Sequence, residues 1–123
     1  MIENKLRRDK IEIKDFVLDG IREKKGYQMV IIDLSKISNS ICDYFVICHG
    51  NSRTQVEAIA ESVEETVRNN TGERPWHREG WQNAEWILLD FVNVVVHVFN
   101  EKTRRFYNLE GLWADAPIIK IED

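Results

Sequence analysis

DYFVICHGNSRTQVEAIAESVEE, residues 43–65, passes from a short apolar run through Gly50-Asn51-Ser52 into a segment with helical spacing. The run YFVICH, residues 44–49, is bounded by turn formers and suits a buried strand. Ser52 and Gln55 stand three residues apart, the spacing of a capping box, which places the helix start at Ser52. Beyond it Val56, Ile59, Ala60, Val63 and Val67 form one apolar stripe, while Glu57, Glu61, Glu64, Glu65 and Arg68 fall largely elsewhere. Asn69-Asn70-Thr71-Gly72 ends the helix. The acidic side is either a solvated face or a docking surface. A strand that enters a helix through Gly and Ser aims backbone N–H groups at one point, where the helix dipole also favours an anion. The junction therefore either holds a phosphate or only turns the chain.

Upstream, Leu6, Ile13, Phe16, Val17 and Ile21 recur at near-helical spacing, and Lys24-Lys25-Gly26 supplies the exit of a first helix. MVIIDL, residues 29–34, predicts a first strand, and SKISNSICD a polar loop before the second. Downstream, ERPWHREGWQNA (73–84) is expected to be a loop whose Trp76 and Trp81 either bind a partner or fold back over the core. WILLDF and VVVHVF, separated by Val92-Asn93, predict a tight antiparallel hairpin with Phe91 opposite Val94, Leu89 opposite Val96 and Ile87 opposite Val98. One face of it is wholly apolar. The other carries Trp86, Leu88, Asp90, Val95, His97 and Phe99, with Asp90 diagonal to His97 and within hydrogen-bonding reach.

Asn100 is a candidate cap for a last helix with Phe106, Leu109 and Trp113 along its stripe and Arg104, Arg105 and Tyr107 at its edges. Pro117 and IIKI suggest a closing edge strand. The elements make a single α/β (α+β) domain over residues 1–123, a mixed β-sheet flanked by helices.

Composition narrows the function. The 123 residues, 43% hydrophobic, suffice for one core without staples, and a formal charge of −4 disfavours bare nucleic acid and favours a basic protein surface. Cys42 and Cys48 would stand roughly 20 Å apart on an extended strand, too far to bridge, and read as small core thiols of a reducing, cytoplasmic compartment. No segment has the length of an apolar membrane span. His49, His77, His97 and a Cys match no compact zinc-ligand pattern. An Asp–His pair needs a nucleophile, metal or pocket to be catalytic, and no Ser or Cys stands in a recognisable catalytic setting.

The strand, Gly-Asn-Ser and helix layout is similar to the nucleotidyltransferase fold, in which two carboxylates at alternate strand positions hold divalent ions. Here WILLDF offers Asp90 alone, with Leu88 where its mate would stand, and Asp43 has none. The junction is expected to be a cap and a turn.

Together, Asp43-Tyr44-Phe45-Val46-Ile47 with Gly50 and Ser52, Glu79-Gly80, Trp86-Ile87-Leu88-Leu89-Asp90, Val95-Val96-His97-Val98-Phe99, Arg104, Phe106-Tyr107, Leu109-Glu110 and Leu112-Trp113 resemble the ribosomal silencing factor (RsfS) family, also called Iojap-related proteins. The resemblance spans about residues 15–117 and departs at the hairpin turn, where Val92-Asn93 replaces the usual Gly-Asp. It implies a homodimeric, non-enzymatic factor of nucleotidyltransferase-like fold without cofactor or metal. Such a factor binds ribosomal protein number fourteen of the large subunit, blocks joining of the small subunit and represses translation when nutrients are scarce. It implies a partner surface formed or supported by Glu79, Gly80, Trp86, Asp90, His97, Arg104, Tyr107 and Trp113. Some of these, Tyr107 and Trp113 above all, could instead be core or dimer residues. The rival expectation is a nucleotide-binding enzyme that uses the turn from Gly50 to Ser52.

Overall fold

The computed structural model describes residues 2–122, with side chains over 13–122. Helix α1 (Ile2–Glu23) leads into β1 (Tyr27–Asp33) and β2 (Tyr44–Gly50), followed by α2 (Arg53–Thr71) and the strands β3 (His77–Glu79), β4 (Trp86–Asp90) and β5 (Val94–Asn100). Two short helices, α3 (Glu101–Tyr107) and α4 (Leu109–Leu112), precede β6 (Ile118–Lys120). The six strands form one mixed sheet in the order β3-β4-β5-β2-β1-β6. Only β2 and β5 run parallel, a pairing that needs a crossover, which α2 and the β3–β4 strands supply.

Alternation along the strands sends side chains to two cores. One face buries Met29, Ile31, Val46, Cys48, Ile87, Leu89, Val96 and Val98 beneath α1 and α2, where the stripe Val56, Ile59, Ala60, Val63 and Val67 is fully buried as its spacing predicts. Burial of each such side chain contributes about 1.5–3 kcal/mol. Leu6 lies outside the described side chains. The two helices touch backbone to backbone at Gly20, where a Cβ would lie 2.7 Å from Val63 Cα, and the Ser62 hydroxyl donates to the Gly20 carbonyl at 2.8 Å. The opposite face packs Val30, Ile32, Phe45, Ile47, Val95 and Phe99 under Leu34, Cys42, Leu109 and Ala116. The strand face expected to be mixed is therefore largely a second core, covered by chain that sequence periodicity could not assign to it. Burial pushes the Cys42 thiol up to about 11 and that of Cys48 up to about 12, so both are inert core groups.

The hairpin has its expected register, with Ile87 opposite Val98 and Leu89 opposite Val96. Its turn is strained: Val92 has φ 76°, a region unfavourable for a β-branched residue, and the Asn93 N–H reaches back to the Phe91 carbonyl at 3.0 Å. The Asn93 carbonyl in turn accepts from the N–H groups of Asp43 and Tyr44, which pins the tip to the start of β2. Val92 is exposed, so replacing it by Gly removes the strain without losing burial. Val92→Gly should stabilise the fold by about 1 kcal/mol, raising Tm by about 4 °C in a thermal melt. A lowered Tm would show that the valine is not strained.

Two expectations are corrected, and one that the sequence left open is decided. The 73–84 segment is not all loop, because residues 77–79 add to the edge of β4 as β3; three charged or polar residues on an edge give no periodic signal. Its aromatics divide, Trp76 standing 82% exposed and Trp81 folding back on the core beneath the Arg78 guanidinium, 4.4 Å from its ring centroid. The last helix breaks at Asn108, which adopts φ 47°, closes α3 and caps α4. That break puts Phe106 outside the expected stripe.

Candidate functional site

Two ends of β4 and β5 carry the residues singled out from the sequence, and the structure separates them. At the Asp90 end, the carboxylate accepts the Val92 N–H at 2.8 Å and so serves the strained turn, not His97. The expected Asp90–His97 pair is absent because the imidazole is engaged elsewhere: Trp86 Nε1–H donates to His97 Nδ1 at 3.0 Å. That bond leaves the His97 proton on Nε2, which is buried and has no hydrogen-bond partner among the described residues, while the ring packs edge to face with Phe45 at a centroid distance of 4.5 Å. Burial lowers the His97 pKa to about 3, so the ring is neutral.

At the other end α3 begins where β5 stops, Asn100 capping it by accepting the Lys102 N–H. Trp86 stacks on Phe99 at 4.9 Å and touches Tyr107 at 4.9 Å, and Tyr107 meets Phe106 edge to face at 5.0 Å. This aromatic ladder rises from the second core to the surface, where Phe106 is 80% and Leu112 73% exposed. Trp113 joins from below through Phe45, at 5.9 Å.

Arg104, expected at a helix edge, is only 6% exposed. It donates through Nη1 to His49 Nδ1 at 2.9 Å and to the Tyr27 carbonyl at 3.4 Å, and through Nη2 to Glu110 Oε2 at 3.2 Å. A guanidinium can only donate, so His49 Nδ1 accepts and its proton lies on Nε2, 3.6 Å from Glu101 Oε2. Burial and then the Arg104 charge hold the His49 pKa below its ordinary value. Gln28, His49, Glu101, Arg104, Asn108 and Glu110, with Arg105 at the lip, enclose a polar pocket of about 280 Å³.

The structure thus brings Trp86, His97, Tyr107, Trp113 and Arg104 to one corner. Glu79 sits on exposed β3, paired with His77 at 3.2 Å. Gly80 supports the same corner from behind, because φ 87° and the Trp86 carbonyl beside it leave no room for a side chain. Asp90 belongs to the far end. Sequence reasoning did not include Phe106, Leu112, His49, Glu101 and Glu110 in the surface; the signal for Phe106 was Asn108, a helix break that exposes what precedes it.

At the Gly50–Ser52 turn the Asn51 and Gln55 N–H groups are taken by side chains of the turn itself. Ser52 Oγ accepts the Gln55 N–H at 3.1 Å, and Gln55 Oε1 accepts the Asn51 N–H at 2.8 Å, one residue earlier than a capping box predicts. The Gln55 amide N–H groups go to the Lys24 and Lys25 carbonyls. The turn docks on the exit of α1. Among the described residues no group of His, Cys, Asp and Glu could hold a metal ion, and no helix is long and apolar enough to cross a membrane.

The family model described as "Ribosomal silencing factor during starvation" matches residues 7–123. The chain is 41% identical over 111 residues to ribosomal silencing factor RsfS of Halalkalibacterium halodurans, covering 90% of this chain and 93% of that one. It is 42% identical over 100 residues to RsfS of Bacillus subtilis, with 81% and 83% covered. A crystal structure of a Chromobacterium violaceum protein superposes with a TM-score of 0.78 at 31% identity, covering 84% of each chain.

Proposed function

Because the chain belongs to the ribosomal silencing factor family, we propose that it is a non-enzymatic, homodimeric cytoplasmic factor that binds ribosomal protein number fourteen of the large subunit. Bound there, it blocks the small subunit sterically and represses translation under nutrient limitation. The observation that carries the proposal is the corner of α3 and α4, where Phe106 and Tyr107 stand exposed on a packed aromatic ladder and Leu112 of α4 is exposed as well. Large apolar anchors held by a packed layer, on an acidic chain, suit a basic protein partner. Steric blocking needs affinity and bulk alone.

Mixing the protein with isolated large subunits and sedimenting the mixture should carry it with the particle, and small subunits added afterwards should join less. Migration apart from the particle would overturn the proposal. Titration with ATP and magnesium tests the rival, since tight metal-dependent binding would favour a nucleotidyltransferase-like enzyme. Trp86 is a poor probe of the interface because truncating it strips His97 Nδ1 of its donor. Phe106 is a clean one. Phe106→Ala should weaken large-subunit binding about 30-fold, the effect of losing an interface anchor, with Tm unchanged. Equal affinity would remove this corner from the interface.

A further inference from the structure

The pocket behind the aromatic corner has its own charge logic. Arg104 is internal and spent: its guanidinium is tied to His49, Tyr27 and Glu110 and neutralises the last of these. His49 is neutral and turns its Nε2–H toward Glu101. The second ion pair of the pocket is that of Glu101, whose other oxygen meets Arg105 Nη2 at 3.5 Å. Arg105 is exposed, and an exposed pair of this spacing on a helix is worth only about 0.3–0.5 kcal/mol. The chain's own loosely held guanidinium thus sits on the lip carboxylate, in the place another cation would take. Tyr27 stacks on His49 with ring centroids 5.6 Å apart and offers a part-exposed aromatic wall beside the pocket. The volume of about 280 Å³ suits one long side chain.

Resting on the ribosomal function proposed above, we propose that this pocket receives the guanidinium or ammonium group of an arginine or lysine side chain from the basic ribosomal protein. The incoming cation displaces Arg105 from Glu101. The aromatic corner supplies apolar anchoring beside it, and the pocket fixes the orientation of the docked protein. Charge complementarity decides the occupant: Arg104 is tied to Glu110, and once the exposed Arg105 swings away Glu101 is the charge that meets an incoming group, which favours a cation over an anion.

The test is equilibrium binding of the full chain to purified large ribosomal subunits, for wild type and three surface variants checked by thermal melts. Glu101→Gln should weaken binding about tenfold, the loss of one charge-assisted hydrogen bond, and flatten its salt dependence. Gln28→Lys, which tethers an ammonium at the pocket wall, should weaken it by a similar factor. Arg105→Ala, which removes the internal competitor, should bind at least as tightly as wild type. The pocket proposal is overturned if Glu101→Gln binds as wild type does, or if Arg105→Ala binds more weakly, the pattern of an anion site. Failure of the wild-type chain to bind the subunit at all would overturn the ribosomal function instead.

Discussion

Replacing Gly80 by Ala is expected to lower stability by about 4 kcal/mol and Tm by about 15 °C, a large part of the stability of a domain this size. Two independent penalties combine. Gly80 has φ 87°, where an L side chain is strained, and an ideal Cβ would lie 1.9 Å from the Trp86 carbonyl oxygen and 3.2 Å from Ile87 Cα. Both neighbours are backbone, so no rotamer change relieves the overlap, and the turn between β3 and β4 must pull away from the start of β4. Since the Ala84 N–H donates to the Gly80 carbonyl at 2.9 Å, that movement also loosens the turn containing Trp81. Urea unfolding followed by tryptophan fluorescence would measure the effect. An unchanged midpoint would mean the turn is not held in this conformation. The damage should reach Trp86 and hence the α3 corner, so large-subunit binding should fall with it.

Arg104→Met is expected to cost about 3 kcal/mol, near the low end for breaking a buried ion pair because Glu110 retains access to water. Methionine fills the space but leaves His49 Nδ1 and the Tyr27 carbonyl without their donor. Removing the Arg104 charge also removes one of the three causes that hold the His49 pKa down, the others being burial and Arg105, so this pKa should rise, an effect that NMR titration of the imidazole reads separately from stability. If the urea midpoint stays where it was and the His49 titration does not move, the buried guanidinium is not the keystone of this corner. The double variant Arg104→Met with Glu110→Gln should be less damaged than the sum of the single variants, because the two groups share one interaction.

Local sequence chemistry determined much of this protein. The stripe of α2 was legible because burial on one helix face repeats with the helical period, and the cap at Ser52 because only a few side chains can accept an N–H at a helix start. The hairpin register followed from two residues between two apolar runs. The missing carboxylate mate of Asp90 was visible from the strand period alone, whereas the departure at residues 92 and 93, where the turn is strained, showed only against the Gly-Asp usual in the family that the sequence resembles.

What tertiary structure alone decided is where long polar side chains end up. Arg104 looks like any basic residue near a helix C-terminus, yet it points inward because the C-terminal end of β2 and the start of β1 place His49 and the Tyr27 carbonyl beneath it. Asp90 and His97 are neighbours in the strand pattern, yet each found a different partner, one in the turn and one across the strands in Trp86. Nor did the sequence say that α4 and the 34–42 segment would cover the second sheet face. Periodicity encodes which side of an element is buried; it does not encode which of several distant groups will satisfy a buried hydrogen bond, because that choice is made among partners dozens of residues away.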